Sequence, residues 1–174
     1  DVRHIDNSRG KYNIPNVGLY LWRLQSYPVI RSTAYAATQP PNGRYTFNPL
    51  GLSAPLFNRP RTETEIAQLA AEHNVPGPLR RRPLHDELEA IRQALVDGST
   101  PPYLYFNRQP VLQLFVQANI NDPRKELLPE EILICHLGDW KRPVSKTYTR
   151  KDGTQFTTRV AVDPVLGRLA FPTN

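Results

Sequence analysis

Cysteine and long hydrophobic runs are what this chain of 174 residues most nearly lacks. Its one cysteine, Cys135, cannot form an internal disulfide and excludes a cysteine-rich zinc site. The apolar runs are far shorter than the roughly 20 residues that a membrane-spanning helix needs. The sequence therefore predicts neither a disulfide framework nor a membrane span, and it leaves the compartment open.

Proline, in contrast, is abundant, with 18 residues among 174. A proline inside a helix removes a backbone donor and clashes with the preceding turn, so the pieces between prolines favour short strands and loops. Hydrophobic residues make up 39% of the chain, which is enough for a real core. Together these features predict a loop-rich, mainly β scaffold that proline stiffens.

Apolar and alternating segments between the prolines predict the strands. The strongest candidate is 17–24, which is apolar or aromatic on both faces and is therefore expected at the centre of a sheet. Further strands are predicted at 44–47, 103–106, 111–116, 132–137 and 168–171. A hairpin is predicted from 144–150 to 154–162, because Asp152 followed by Gly153 is a strong turn signal.

A first short helix is predicted to begin at Thr62, where Thr62 and Glu65 form a capping box, and to end near His73. The connector before it, 49–60, has little periodicity. Its apolar side chains are expected to cap the core, and they are Leu50, Leu52, Leu56 and Phe57.

A second helix is predicted to begin at Pro83, which suits a first helical turn, and to end at Gly98. Apolar residues recur on one face at intervals of three and four from Leu84 to Leu95. Three acids are expected near the positive N-terminal end of its dipole, namely Asp86, Glu87 and Glu89.

These elements predict a mainly β (α+β) fold, either an antiparallel β-sandwich or a distorted barrel, with two short helices on one side or in a crossover. The length fits a single domain over residues 1–174. Because the chain starts at Asp1 and stops after a strand-like segment, we expect this domain to be cut from a longer polypeptide.

The net charge of +6 suits an anionic partner, but scattered arginines that simply solubilise the surface are the favoured explanation. The one concentrated charge is the triplet Arg80, Arg81 and Arg82, which lies at the unfavourable end of the second helix's dipole. This conflict indicates a partner for the triplet, either an acidic patch on another subunit or an internal salt bridge. Nucleic acid is disfavoured, because the nearby aromatics are not interleaved with the arginines.

No set of reactive residues has the spacing of a catalytic or metal site. His4 and Asp6 offer two metal ligands, which is too few. Cys135 and His136 are adjacent, so on a strand they point to opposite faces and do not form a nucleophile–base pair. The acidic pairs 87/89 and 130/131 are explained by a helix start and a turn. We therefore expect no enzyme activity, no cofactor and no small-molecule substrate.

Several stretches resemble one family of large bacterial proteins, which are encoded in the gene clusters of phage-tail-like contractile injection systems. The stretches are YNIPNVG at 12–18 running into LWRL at 21–24, PLFNRP at 55–60, NVPGPLRRR at 74–82 and VDPVLGR at 162–168. The resemblance covers most of the chain. It implies a structural component of a tail-like particle, at the baseplate or an appendage, and it carries over no catalytic residue.

The resulting expectation is a non-catalytic domain that docks other protein subunits of a large assembly. Aromatic and arginine side chains are favoured at protein interfaces. The interface candidates are Trp22, Arg80, Arg81, Arg82 and Trp140, of which Trp22 is equally suited to the core. The alternative is a carbohydrate- or surface-binding module of the same kind of particle, with Trp140 and tyrosines as stacking surfaces.

Overall fold

The computed structural model describes residues 2–3, 19–20, 30, 32–60, 72–119 and 121–173. Within these ranges strands predominate, as predicted. The strands are β1 Val2–Arg3, β2 Leu19–Tyr20, β3 Tyr35–Ala36, β4 Arg44–Thr46, β5 Phe115–Val116, β6 Lys125–Glu126, β7 Ile132–Ile134, β8 Thr147–Thr149, β9 Gln155–Thr157, β10 Val160–Asp163 and β11 Arg168–Ala170. The helices are α1 Arg81–Asp97 and a 3-10 turn at Pro129–Glu131. The mainly β, α+β class is confirmed.

The largest sheet has five strands in the order β3-β4-β11-β10-β7. Its pairs are antiparallel except for β10 and β7, which run parallel, so the sheet is mixed and not purely antiparallel. Three two-stranded sheets accompany it, formed by β1 with β2, β5 with β6 and β8 with β9. None of the described sheets closes, so the described ranges contain no barrel.

One helix is described where two short ones were predicted. Helix α1 has 17 residues and is longer than predicted, because Pro83 occupies its first turn, where an N–H is not needed, and no further proline follows before Pro101. It ends as predicted at Gly98, whose φ of 69° is the left-handed conformation of a helix C-cap. Most of the predicted first helix, from Thr62, lies outside the described residues, and 72–74 form a turn.

Helix α1 begins at Arg81, two residues before the predicted start, and this changes the role of its acids. Its first turn contains no acidic residue, so the dipole prediction for Asp86, Glu87 and Glu89 was wrong. Glu89 instead binds Arg92 one turn later, with Oε1 2.9 Å from Nη2.

Glu87 explains why residues 103–106 are not a strand. Its carboxylate accepts hydrogen bonds from the backbone N–H groups of Leu104, Tyr105 and Phe106, at 2.8 to 3.0 Å. Consecutive N–H groups point in alternating directions in a strand, so convergence of three of them on one carboxylate requires a bent backbone. The predicted strand is therefore a bend that is fastened to α1.

The core lies between α1 and the large sheet. Leu84, Leu88 and Ile91 form the buried face of α1, at the spacing that the sequence predicted. They belong to one cluster with apolar residues of the sheet and of the bend, which include Ile132, Ile134, Val160, Val162, Tyr105 and Phe106. Burying a large apolar side chain contributes about 2 kcal/mol, so this cluster is the main source of stability.

The remaining strand predictions hold in part. Strand β4 matches 44–46, and β7 and β11 lie within 132–137 and 168–171. The segment 17–24 is described only at Leu19–Tyr20, which pair with β1 outside the large sheet. The hairpin forms between β8 and β9 around Gly153, but β10 leaves it to join the large sheet.

Arginine side chains donate hydrogen bonds to several backbone carbonyls of their own chain. Arg142 donates through Nε to the Phe171 carbonyl at 2.6 Å and through Nη2 to the Pro172 carbonyl at 3.0 Å. Arg92, which is 1% exposed, donates to the carbonyls of Glu130 and Ile132. Because Ile132 lies on the end strand β7, Arg92 also covers part of a sheet edge.

Gly167 fixes the turn between β10 and β11. Its φ is +58°, and a Cβ at this position would lie 2.0 Å from the carbonyl oxygen of Ala54. That oxygen belongs to the backbone and cannot rotate away as a side chain would. The connector 49–60 must therefore pass directly over a residue without a side chain.

We predict that Gly167→Ala lowers the free energy of unfolding by more than about 2 kcal/mol, because the left-handed conformation alone costs an L-residue about 1 to 2 kcal/mol and the clash adds to it. Urea denaturation followed by circular dichroism measures the change. Gly153→Ala is the matched control, since Gly153 has φ +84° but nothing within 4 Å of the added Cβ. Equal losses in the two variants would show that the contact with Ala54 is unimportant.

Candidate docking surface

The arginine triplet at the start of α1 binds three different acids. Arg80 forms a two-point ion pair with Glu72, in which Nε lies 2.7 Å from Oε1. Arg81 binds Asp163, and Arg82 lies 3.6 Å from Asp86 with its own side chain 92% exposed. The internal salt bridge that the sequence left open thus accounts for Arg81, while Arg80 and Arg82 remain accessible from outside.

Asp163 is the centre of the most heavily bonded cluster. Its side chain is fully buried and accepts two parallel hydrogen bonds from Arg81, with Nε–Oδ1 at 2.8 Å and Nη2–Oδ2 at 3.0 Å. Backbone N–H groups complete it, from Leu137 to Oδ2 at 2.9 Å and from Val165 to Oδ1 at 3.1 Å. One carboxylate thereby joins the start of α1, the segment after β7 and the turn after β10.

These contacts set the protonation of Asp163. Burial raises the pKa of its carboxyl, but the hydrogen bond from Arg81 and those from the backbone of Leu137 and Leu166 outweigh burial and lower the pKa below its usual value. The group is therefore held as a carboxylate. Every lone-pair direction that it offers is directed at a donor of its own chain, which suits a structural role.

His136 and Cys135 adjoin this cluster without forming a reactive pair. His136 Nδ1 lies 3.5 Å from Asp163 Oδ2, and its side chain is 64% exposed. Burial raises the pKa of the Cys135 thiol, and the charge of Asp163 raises it further. Since the thiolate is the nucleophilic form, this environment works against thiol chemistry.

Trp140 lies in a loop that arginines hold. Its φ of 55° is in the left-handed region, which a bulky residue adopts only under constraint. Arg44 Nε donates to its carbonyl at 2.9 Å, and the Arg168 guanidinium lies 4.4 Å from the centre of its ring system. One face of the indole is thus covered by a cation, so a sugar would have to stack on the opposite face.

Trp22, the remaining interface candidate, lies outside the described residues. The other candidates are not brought together in one site. Arg81 is committed to the buried Asp163, Trp140 is stacked on Arg168, and Arg80 and Arg82 project from the start of α1.

An apolar patch on the connector 49–60 was missed by the sequence reasoning. Leu50 is 74% exposed and Leu52 is 60% exposed, so the expectation that they cap the core was wrong. Between them, Gly51 touches the ring of Tyr35 on strand β3, because a Cβ there would lie 3.0 Å from Tyr35 Cε1. Tyr35, which is 48% exposed, Leu50 and Leu52 form what we call the Tyr35 patch.

The turn at Asn48 places the leucines outside. The Asn48 side-chain oxygen accepts the Leu50 N–H at 2.8 Å, and the Gly51 N–H donates to the Asn48 carbonyl at 3.0 Å. Leu56, farther along, does pack against the core, as predicted. The Asn-Pro-Leu-Gly sequence at 48–51 was the available signal, since asparagine, proline and glycine together mark a tight turn that projects its intervening residue.

Other classes of site find no support in the described ranges. There, no group of three histidine, cysteine, aspartate or glutamate side chains could hold a metal ion. No helix described is long and apolar enough to cross a bilayer. Comparisons with protein-family models, with curated proteins and with solved structures found no match.

We predict that Asp163→Asn lowers the free energy of unfolding by about 2 to 3 kcal/mol near pH 7, because Arg81 loses its partner and an amide cannot accept all the donors around it. The pKa of Asp163 is lowered in the folded state, so the unfolded state binds the proton more readily. Its contribution is therefore present above about pH 4 and is lost as the pH falls further.

Unfolding measured between pH 7 and pH 3 checks both statements. The wild type should lose more stability than the variant over the acid range. Asp152→Asn is the control, since Asp152 is exposed and its pKa is also lowered, by hydrogen bonds from Thr154. An Asp163→Asn variant as stable as Asp152→Asn at pH 7 would show that the buried carboxylate does not hold the cluster together.

We predict that Cys135 reacts with a thiol reagent such as DTNB at least about tenfold more slowly than free cysteine at pH 7.5, because burial keeps it protonated. The chain has no other cysteine, so the rate reports this one site. In denaturing urea the rate should rise to that of free cysteine. Rapid reaction in the folded state would point to a reactive thiol and against a purely packing role.

Proposed function

We propose that this chain is a non-catalytic assembly domain of a phage-tail-like contractile injection particle, in which it docks other protein subunits. The choice of this kind of particle is supported by the resemblance of the sequence stretches at 12–18, 21–24, 55–60, 74–82 and 162–168 to proteins of such gene clusters. The Tyr35 patch is the observation that carries the docking role. Leu50 and Leu52 are exposed on either side of Gly51, which faces the half-exposed ring of Tyr35, and large exposed apolar side chains grouped in this way are typical of an interaction surface.

The state of the charged groups supports docking over catalysis. Asp163 and Glu87 accept hydrogen bonds from several backbone N–H groups, and Glu130 is bound by Arg150. A catalytic acid or base needs a free position toward a substrate. These carboxylates instead fasten loops to one another.

The arrangement of the arginines favours a protein partner over nucleic acid. Four of them donate to backbone carbonyls of their own chain, namely Arg44, Arg92, Arg142 and Arg168. Nucleic-acid binding depends on cations that are free to neutralise phosphates along a continuous surface. These four arginines are thus engaged within their own chain.

The test is incorporation of the full-length chain into particles. We expect sheath and tube proteins to co-sediment with the tagged chain from cells that produce the particles. Leu50→Glu combined with Leu52→Glu should reduce incorporation at least about fivefold, because two charges replace the apolar contact. The free energy of unfolding of this double variant should stay within about 1 kcal/mol of the wild-type value, because both side chains are exposed.

Val144→Glu is the matched control, because Val144 is 64% exposed and lies outside the patch. It should be incorporated as the wild type is. Particles that assemble fully after deletion of the gene, and that never contain the chain, would refute the proposal. Normal incorporation of the double variant would refute the role of the Tyr35 patch.

A further inference from the structure

A cavity of about 250 Å³ lies beside the first turn of α1, and none of the residues of the Tyr35 patch lines it. Its floor is apolar and buried, since Leu79 is 4%, Leu84 1% and Tyr105 6% exposed. Its walls include three prolines, which are Pro76, Pro78 and Pro83. Proline rings restrict the backbone that carries them, so these walls resist collapse onto the floor.

The polar groups around this cavity are already bound to one another. Asn58 Nδ2 donates to the Val75 carbonyl at 2.8 Å, and Asn58 Oδ1 accepts the Gly77 N–H at 2.8 Å. Glu72 binds Arg80, with Oε1 2.7 Å from Nε. A water molecule held in a protein cavity needs two to four polar partners, and this cavity offers few. An apolar guest is therefore preferred to water.

The volume indicates the size of that guest. An apolar cavity of about 150 Å³ is large enough to hold benzene. The present cavity is larger and can hold a phenol or indole ring. A flat ring also suits walls of proline and tyrosine, against which aromatic side chains pack well.

Arg80, at the rim of the cavity, indicates that the aromatic ring of the guest is accompanied by a carboxylate. Its side chain is 66% exposed, and Glu72 takes Nε and Nη2. Nη1 has no hydrogen-bond partner among the described residues, so an incoming carboxylate can bind it without displacing Glu72.

We propose that this cavity binds an aromatic side chain of another subunit, from a segment in which an aspartate or glutamate adjoins the aromatic residue. The ring fills the apolar floor, and the acid pairs with Nη1 of Arg80. The identity of the partner as another subunit rests on the proposed function. The cavity itself is a second contact, separate from the Tyr35 patch.

The test uses the purified, isotope-labelled chain and short capped peptides. N-acetyl-Asp-Trp-amide is titrated while amide chemical shifts are recorded, with N-acetyl-Asn-Trp-amide and N-acetyl-Asp-Ala-amide as comparisons. We expect shifts of the amide groups of Val75, Gly77, Leu79, Arg80, Leu84 and Tyr105. We also expect a Kd about threefold lower for Asp-Trp than for Asn-Trp at low salt, and no binding of Asp-Ala. The threefold factor is the size expected of an exposed ion pair.

Two pairs of variants locate the site. Arg80→Gln should abolish the preference for Asp-Trp over Asn-Trp, whereas Arg82→Gln should keep it, because Arg82 does not line the cavity. Val75→Trp at the rim should block binding by occupying the cavity. Val144→Trp adds the same side chain at an exposed position elsewhere and should leave binding intact.

Either of two results would overturn the inference. The first is the absence of shifts at these residues with every tryptophan peptide. The second is binding of adenosine monophosphate at the same residues as tightly as the peptides, which would make the cavity a nucleotide site. The peptide titration needs no particle. Its failure would therefore contradict the cavity inference alone, whereas failure of incorporation would contradict the proposed function.

Discussion

The carboxylate of Asp163 is the contact that fastens helix α1 to two segments adjoining the large sheet. It binds Arg81 at the start of α1 and the backbone of Leu137 and Val165, so one side chain sets the position of the helix against the sheet. A buried charge is costly unless it is fully paired, and this one is. The ion pair lies at one end of the same helix whose Leu84, Leu88 and Ile91 belong to the apolar core.

A second constraint is the shortage of backbone donors. Strands of two to four residues leave many carbonyls outside regular ladders, and each proline removes an N–H. Arginine is suited to this deficit because its guanidinium has five donors in a planar fork. Four arginines thus serve the backbone carbonyls of their own chain, so the net charge by itself is a weak guide to an anionic ligand.

The sequence predicted those parts of the fold in which local patterns decide the outcome. The apolar face of α1, its stop at Gly98 and the turn at Gly153 depend on spacing and on glycine, both readable directly. The bend at 103–106 and the exposure of Leu50 and Leu52 depend on partners distant in sequence. Glu87, 17 residues away from Leu104, overrides a β-favouring segment, and no local pattern reports such a contact.

The order of strands has a consequence for biosynthesis. Strand β11 lies in the middle of the five-stranded sheet, yet it is the last of the described strands along the chain, and its partner β4 precedes it by more than 120 residues. A chain emerging from the ribosome can form α1 early, but β3 and β4 cannot join β10 until β11 has been made. The pair β3-β4 and the pair β10-β7 therefore cannot form one sheet until β11 is synthesised. Ribosome-bound chains that stop before β11 should expose unpaired strand edges to chaperones.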